Sequence, residues 1–396
     1  MDIRYKDIYY FSVKPIFAIF ICFLIVSYVY VLYRGEYNGD FNGVPVLLNK
    51  STIFIVFLLS LSPFFYLWYR YKFYKSKCVS FTRGISINII RNVLTILLLI
   101  KLFVFFYIQE TDSLSSLGWL RTLVVTFNPS ALFFIYFVCS KSKYKFFIVL
   151  LCLLETCVWH SFSGVLDVIF ACFLCYHEFY SKIFRKYFFI VIFFVVLMPY
   201  IIINLYVFRS SLRNDNSDFS SITNTEIICG VLAGRFSSFS NSCFLLEDLY
   251  YTYSYAQRIP QLFYQTRILD VYGIHIDKWK DYFPEQYLYT RSSAYKNEID
   301  DFTSFMLGVP GILIVSVLKS PLILLVNLLT ILFLIEICFV LSKRLKIPFC
   351  SELSFVLLLY PMLSGVGLEL FFIFTQLLGT YIILLFVKPV YIRIKN

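Results

Sequence analysis

Residues 187–208 read YFFIVIFFVVLMPYIIINLYVF, and the ten that follow, 209–218, read RSSLRNDNSD. The first stretch carries no charged side chain over 22 residues, and the second holds two arginines and two aspartates. About 20 apolar residues in a helix, rising 1.5 Å each, cross a hydrocarbon core roughly 30 Å thick. The junction at Arg209 therefore reads as the point where a membrane helix meets water and hands over to a long polar segment. The whole chain agrees with this reading: 60% of its 396 residues are hydrophobic and 15% are charged, with a mean hydropathy of +0.77. So little charge cannot cover a soluble protein of this size. The fold expected is an all-α polytopic integral membrane protein.

Working outward from residues 187–208, apolar spans are predicted at Ile16–Leu32, Thr52–Trp68, Ile87–Tyr107, Leu123–Cys139, Phe146–Trp159 and Gly164–His177. After the polar segment come Leu322–Leu341, Phe349–Gly365 and Leu368–Val387, for ten spans in all. The first helix lacks a small-residue cleavage site and reads as retained rather than as a removable signal.

Charge orients the spans. Loops enriched in Lys and Arg stay in the cytoplasm. Arg70, Lys72, Lys75, Lys77 and Arg83 follow span two. Lys141, Lys143 and Lys145 follow span four, and Lys182, Arg185 and Lys186 follow span six. Lys343, Arg344 and Lys346 follow span eight, and Lys388, Arg393 and Lys395 lie in the tail. The intervening loops lack this excess, so both termini are expected inside. The short apolar run Met306–Leu318 contains Pro310 and Gly311 and reads as a re-entrant or interfacial helix; counting it as a span gives an eleven-span alternative. The net charge of +11 is accounted for by topology and calls for no nucleic acid. Cys172 and Cys175 form a CxxC inside span six, where they read as two small apolar residues. Cys229 and Cys243 could form a disulfide or remain free thiols.

Three domains follow: residues 1–208, a seven-span bundle; residues 209–305, a large outer loop; and residues 306–396, the re-entrant segment and three spans. The loop is 97 residues long with nine Lys/Arg, twelve Asp/Glu and ten tyrosines, and long loops on rigid scaffolds carry function. Within Gly234–Glu247, Phe236, Phe239, Cys243 and Leu246 recur at helical spacing, with serines and an asparagine opposite. This predicts an amphipathic helix lying on the membrane surface. The tyrosines at 250, 251, 253 and 255 suit the stacking of sugar rings, and equally a membrane interface. Arg209 and Arg213, four apart, could grip one diphosphate or simply snorkel. Ionisable Lys101, Glu155, Asp167 and Glu369 fall within spans toward the outer side, with Arg121 and His160 at the boundary. Such residues are costly in lipid and mark a polar cavity or a structural ion-pair network.

On these features, and on the Gly234-Arg235-Phe236-Ser237 stretch inside the dominant outer loop, the chain resembles the O-antigen polymerases of surface polysaccharide assembly. The resemblance is one of architecture over nearly the whole chain, without a tight motif. It implies a fold of the GT-C glycosyltransferase type in the bacterial inner membrane. It also implies a metal- and cofactor-free transfer between undecaprenyl-pyrophosphate-linked oligosaccharides, with a chain-length regulator as a possible partner. Cations would stabilise the departing pyrophosphate and a base would take the hydroxyl proton. The expected catalytic set is Arg235, His275, Glu247 and Asp248, with Asp270 a further candidate base. The expected substrate-binding set is Arg209, Arg213, Arg258, Arg267, Arg291, Arg121, Tyr251 and Tyr255. Two alternatives stand beside it. A flippase of the same lipids is disfavoured by the long loop and the lack of an internal repeat. A polyprenyl-phosphate-sugar glycosyltransferase is disfavoured by the short first outer loop.

Overall fold

In hydrocarbon a backbone can satisfy its polar groups only internally, so uncharged apolar runs fold as helices. A computed structural model of the protein shows this, and describes residues 12–41, 43–75, 81–84, 87–111, 129–140, 142–158, 163–175, 237–270, 307–345, 347, 349–365, 367–386 and 390–393. The first half contains α1 (Lys14–Arg34), α2 (Lys50–Lys75), α3 (Ile87–Thr111), α4 (Ser130–Cys139), α5 (Tyr144–Val158) and α6 (Ser163–Cys175). The segment expected to form the outer loop contributes α7 (Phe239–Glu247), α8 (Leu249–Arg258) and α9 (Phe263–Asp270). The last part holds α10 (Gly308–Lys319), α11 (Pro321–Arg344), α12 (Cys350–Ser364) and α13 (Gly367–Phe386). Five of these, α1, α2, α3, α11 and α13, are long and apolar enough to cross a membrane. The expected span Tyr187–Phe208 lies outside the described residues.

Two ends of the bundle can be distinguished by chemistry. At the basic end, α2 and α11 finish in Lys72 and Lys75 and in Lys343 and Arg344. The backbone at Phe81–Gly84 (β1) pairs antiparallel there with Val390–Arg393 (β2), Phe81 opposite Arg393, so the loop after α2 and the C-terminal tail lie together. At the opposite end, the loop end, α1 finishes at Arg34, and α7 packs against α1 and α2.

The short helices α10 and α12 combine into one broken column. Both pack against α2 and α11, and against each other. At 1.5 Å per residue α12 rises about 22 Å and α10 about 18 Å, together matching the ~39 Å of α2. α12 climbs from the basic end, where Phe355 meets Trp68 and Tyr71. It stops at Gly365, part-way through the bundle. There a Cβ on Gly365 (φ +71°) would overlap the carbonyl group of Gly308 (φ +68°), the first residue of α10. At Gly365 the Gly308 backbone leaves no room for a side chain, and at Gly308 the Ser238 side chain fills the place a Cβ would take; both positions also have the positive φ that glycine adopts freely. α10 then climbs to the loop end and turns through Ser320 into α11, and Asn327 Nδ2 donates to Ser316 Oγ across the pair at 2.8 Å. The short run expected to be re-entrant or interfacial is thus a buried half-helix, too short by itself to span.

Candidate functional site

At the loop end the segment Ser237–Leu245 is buried residue after residue, at 9% exposure or less. This corrects the expectation of a helix lying on the membrane surface. The helical spacing of its apolar residues is real, and Phe239 sits edge-on to Tyr28 and Phe57. The polar side, however, faces protein. Ser240 Oγ donates to the Asn38 side chain. Asn38 in turn donates through Nδ2 to Ser27 Oγ of α1 at 2.8 Å. Ser242 Oγ donates to the Leu307 carbonyl at 2.8 Å, just before α10. A hydroxyl-rich face can satisfy itself against a neighbouring helix as well as against water, and in lipid such bonds hold helices together. The amino end of α7 reaches the break in the column, where Ser238 lies against Gly308.

α8 and α9 continue the wedge. Thr252 and Tyr255 point inward, while Tyr250, Tyr251 and Tyr253 are exposed. Lys319, at the top of α10, is buried and donates to the carbonyls of Ala256 (3.0 Å) and Ile259 (2.6 Å). An ammonium at a helix C-terminus satisfies its orphan carbonyls and suits its dipole. Gln265 of α9 donates to Asn327 (3.0 Å) and Thr330 (2.8 Å) of α11, so each loop helix is bonded to the bundle. Sequence reasoning had no account of Lys319, Asn327 or Asn38, although a polar residue inside or beside an apolar run is itself a signal of a buried partner.

The expected site residues fall into distinct settings. Glu247 Oε1 accepts from the Tyr37 hydroxyl (2.7 Å) and the Leu47 amide (2.8 Å), tying α7 to the α1–α2 connection. Asp248 caps α8 by accepting from the Tyr251 amide at 3.2 Å. Arg258 is exposed and donates back to Ser254 of its own helix. Tyr251 is free to stack on a ligand from solvent, whereas Tyr255 is 6% exposed and belongs to the core. Arg267 and Asp270 lie on α9, with side chains outside the described residues. Arg121, Arg209, Arg213, Arg235, His275 and Arg291 lie outside the described residues altogether. Cys243 is a free, buried thiol, and burial pushes its pKa up; Cys229 lies outside the described residues. No three His, Cys, Asp or Glu side chains among the described residues form a metal-ligand group.

A second polar centre lies among α3, α4, α5 and α6. Lys101 Nζ of α3 and Glu155 Oε1 of α5 form an ion pair of 2.7 Å. Ser130 Oγ, at the first residue of α4, donates to Asp167 Oδ2 of α6 at 2.6 Å. All four line one cavity of about 30 Å³, closed on its apolar side by Leu98 and Phe133. Three of the ionisable residues expected on the outer side of the spans thus converge. The fourth, Glu369, is elsewhere, accepting from Ser364 at the α12–α13 turn.

Compared with family models, with characterised proteins and with solved structures, the chain finds no match.

Proposed function

We propose that the protein polymerises lipid-linked oligosaccharide repeat units at the outer face of the bacterial inner membrane. In this reading the basic end of the bundle is cytoplasmic, both termini are inside, and the ten-span topology holds. The observation that carries the reading is the burial of α7 at the loop end, against the broken column at Gly308. The described part of that loop, residues 237–270, is therefore packed onto the helical bundle. A transferase joining two membrane-anchored substrates needs its loop there, because both reacting ends sit at the membrane face and must be shielded from water.

The chemistry asked of the residues is limited. The acceptor sugar hydroxyl forms a bond to the anomeric carbon of the growing chain. The bond from that carbon to the pyrophosphate oxygen breaks, and undecaprenyl pyrophosphate leaves with the electron pair. The hydroxyl proton passes to a base. Arg235, two residues before the buried Ser237, is the first candidate to stabilise the leaving pyrophosphate, with Arg258 and Arg267 next. Arg209, Arg213, Arg291 and Arg121 are further candidates for holding phosphate, and His275 is a candidate base. Tyr251, with Tyr250 and Tyr253 beside it, offers exposed rings for glycan. Glu247 and Asp248 in this reading hold α7 and α8 in place.

The test is complementation of a strain lacking the gene, with surface polysaccharide resolved by size and membrane expression matched. Deletion is expected to leave lipid capped with a single unit. Wild type restores a ladder and Arg235→Ala does not. Loss of even the single-unit product on deletion would overturn the reading and place the protein at an earlier step, such as flipping the lipid-linked unit.

A further inference from the structure

The cavity among α3–α6 is not used by the transfer chemistry above, and the charges of its described lining residues do not balance. Lys101 neutralises Glu155 across 2.7 Å. Asp167 has the Ser130 hydroxyl at 2.6 Å, which satisfies one oxygen but supplies no charge. Among the described residues, the charged groups facing Asp167 are Lys101 from α3 and Glu155 from α5. α4 offers Ser130, and α5 adds the Cys152 thiol. α1, which also packs on α6, meets it with Phe20 against Phe170. Among the described residues, one cation thus serves two carboxylates within a stretch of apolar spans. An ionised acid without a counter-charge is disfavoured there, and such a group takes up a proton or a cation. A cavity of about 30 Å³ has room for one or two waters at roughly 10–15 Å³ each. That is enough to carry a proton in and too little for a hydrated metal ion.

We propose that this cavity is a proton-binding site, holding one exchangeable proton on Asp167 beside the Lys101–Glu155 ion pair. Uptake is the step Asp167–COO⁻ + H₃O⁺ → Asp167–COOH + H₂O, with water in the cavity as the carrier. The proton resides on Asp167 because Glu155 holds the closer contact to Lys101. Proton occupancy changes what α6 offers to α3, α4 and α5: a neutral hydrogen-bond donor in one state, a charged acceptor in the other. The site does not depend on the polymerase reading, since it needs no substrate to be observed.

The test is infrared difference spectroscopy of the full chain in lipid, titrated with pH in H₂O and D₂O. Wild type is expected to show a carboxylic-acid carbonyl band that appears as pH falls and shifts in D₂O. Asp167→Asn should lose that band, while Glu369→Gln, which alters a carboxyl group outside the cavity, should keep it. Lys101→Met should leave the Asp167 band in place and still removable by Asp167→Asn, because the proton sits on Asp167 and not on the ion pair. Ser130→Ala keeps the charges, and should move the midpoint upward by about one pH unit through loss of a hydrogen bond to the carboxylate. An acid band unchanged in Asp167→Asn would overturn the proposal, as would the absence of any titrating band in folded wild type. Abolition of the band by sodium ions at constant pH would likewise overturn it, assigning the cavity to a metal cation.

Discussion

The bundle buries polarity in two ways, and its two halves keep them apart. Among α3–α6 the polar groups that converge are charged and wholly or partly buried, and they surround space: Lys101, Glu155 and Asp167 face one cavity. Around α7 and α10–α12 they are mostly neutral and small, and bonded to one another or to backbone: Ser240 on Asn38, Ser242 on Leu307, Asn327 on Ser316, Ser354 on Ser342. Neutral hydroxyl and amide contacts hold helices in lipid at small energies each. Paired charges in the same setting give little net stability and are expensive to break. The neutral half reads as structural adhesive around the broken column. The charged half reads as retained for a use, since an apolar replacement would serve packing as well.

The difference can be broken or sharpened by measurement, taking thermal unfolding of the purified protein in detergent as the common readout. The largest effect is expected for Lys101→Met, which strands Glu155 and should cost about 3–5 kcal/mol. The double variant Lys101→Met/Glu155→Gln should recover most of that loss. A single variant as stable as wild type would show that the pair is not shielded from water, and the contrast between the halves would collapse.

Next comes Gly365→Ala, where an added methyl meets the Gly308 backbone at a left-handed conformation. The conformation alone costs about 1–2 kcal/mol, and the overlap adds to it, so a loss of about 2 kcal/mol or more is expected. Cysteines at 308 and 365 provide a second check, since they should misfold rather than crosslink.

A smaller effect is expected at the basic end. There Glu336 accepts from Tyr66 and Tyr74, each at 3.1 Å, and pairs with Arg70, whose guanidinium also stacks 4.6 Å from the Phe73 ring. These groups are partly exposed, so Glu336→Gln should cost only about 1 kcal/mol and respond to salt. A similarly small effect belongs to the neutral half: Asn327→Leu removes the bond to Ser316 and the bond from Gln265, and at about 0.6 kcal/mol each in a membrane should cost about 1 kcal/mol. If Asn327→Leu proves costlier than Lys101→Met, the assignment of adhesive and working halves is reversed.

The long apolar helices were legible because hydropathy and length leave a membrane chain little choice. Residues 14–34 and 321–344 could be read straight from composition, and the gathering of Lys101, Glu155 and Asp167 followed from the expense of charge in a span. Ser237–Ser242 was the place where reading stopped short. Its apolar positions keep a helical period, but period alone does not say whether a serine meets water or Asn38. The same ambiguity covered Glu247, which looks like a free acid in sequence and is a strut to Tyr37 and Leu47 in the fold. Tyr251 and Tyr255, alike in type and four residues apart, differ in that one is on the surface and the other in the core.

Taken alone, the amino-acid sequence determined that the chain has several helices apolar enough for a bilayer and roughly where the long ones, such as α1 and α11, lie. Those properties depend on transfer free energies that sum along the chain and need no partner. Tertiary structure decided that α10 and α12 share one column, that Gly308 and Gly365 touch, that α7 is buried against them, and that Ser130 completes the cavity. Each of these is a contact between residues distant in sequence, set by shape and hydrogen-bond direction rather than by any sum over neighbours.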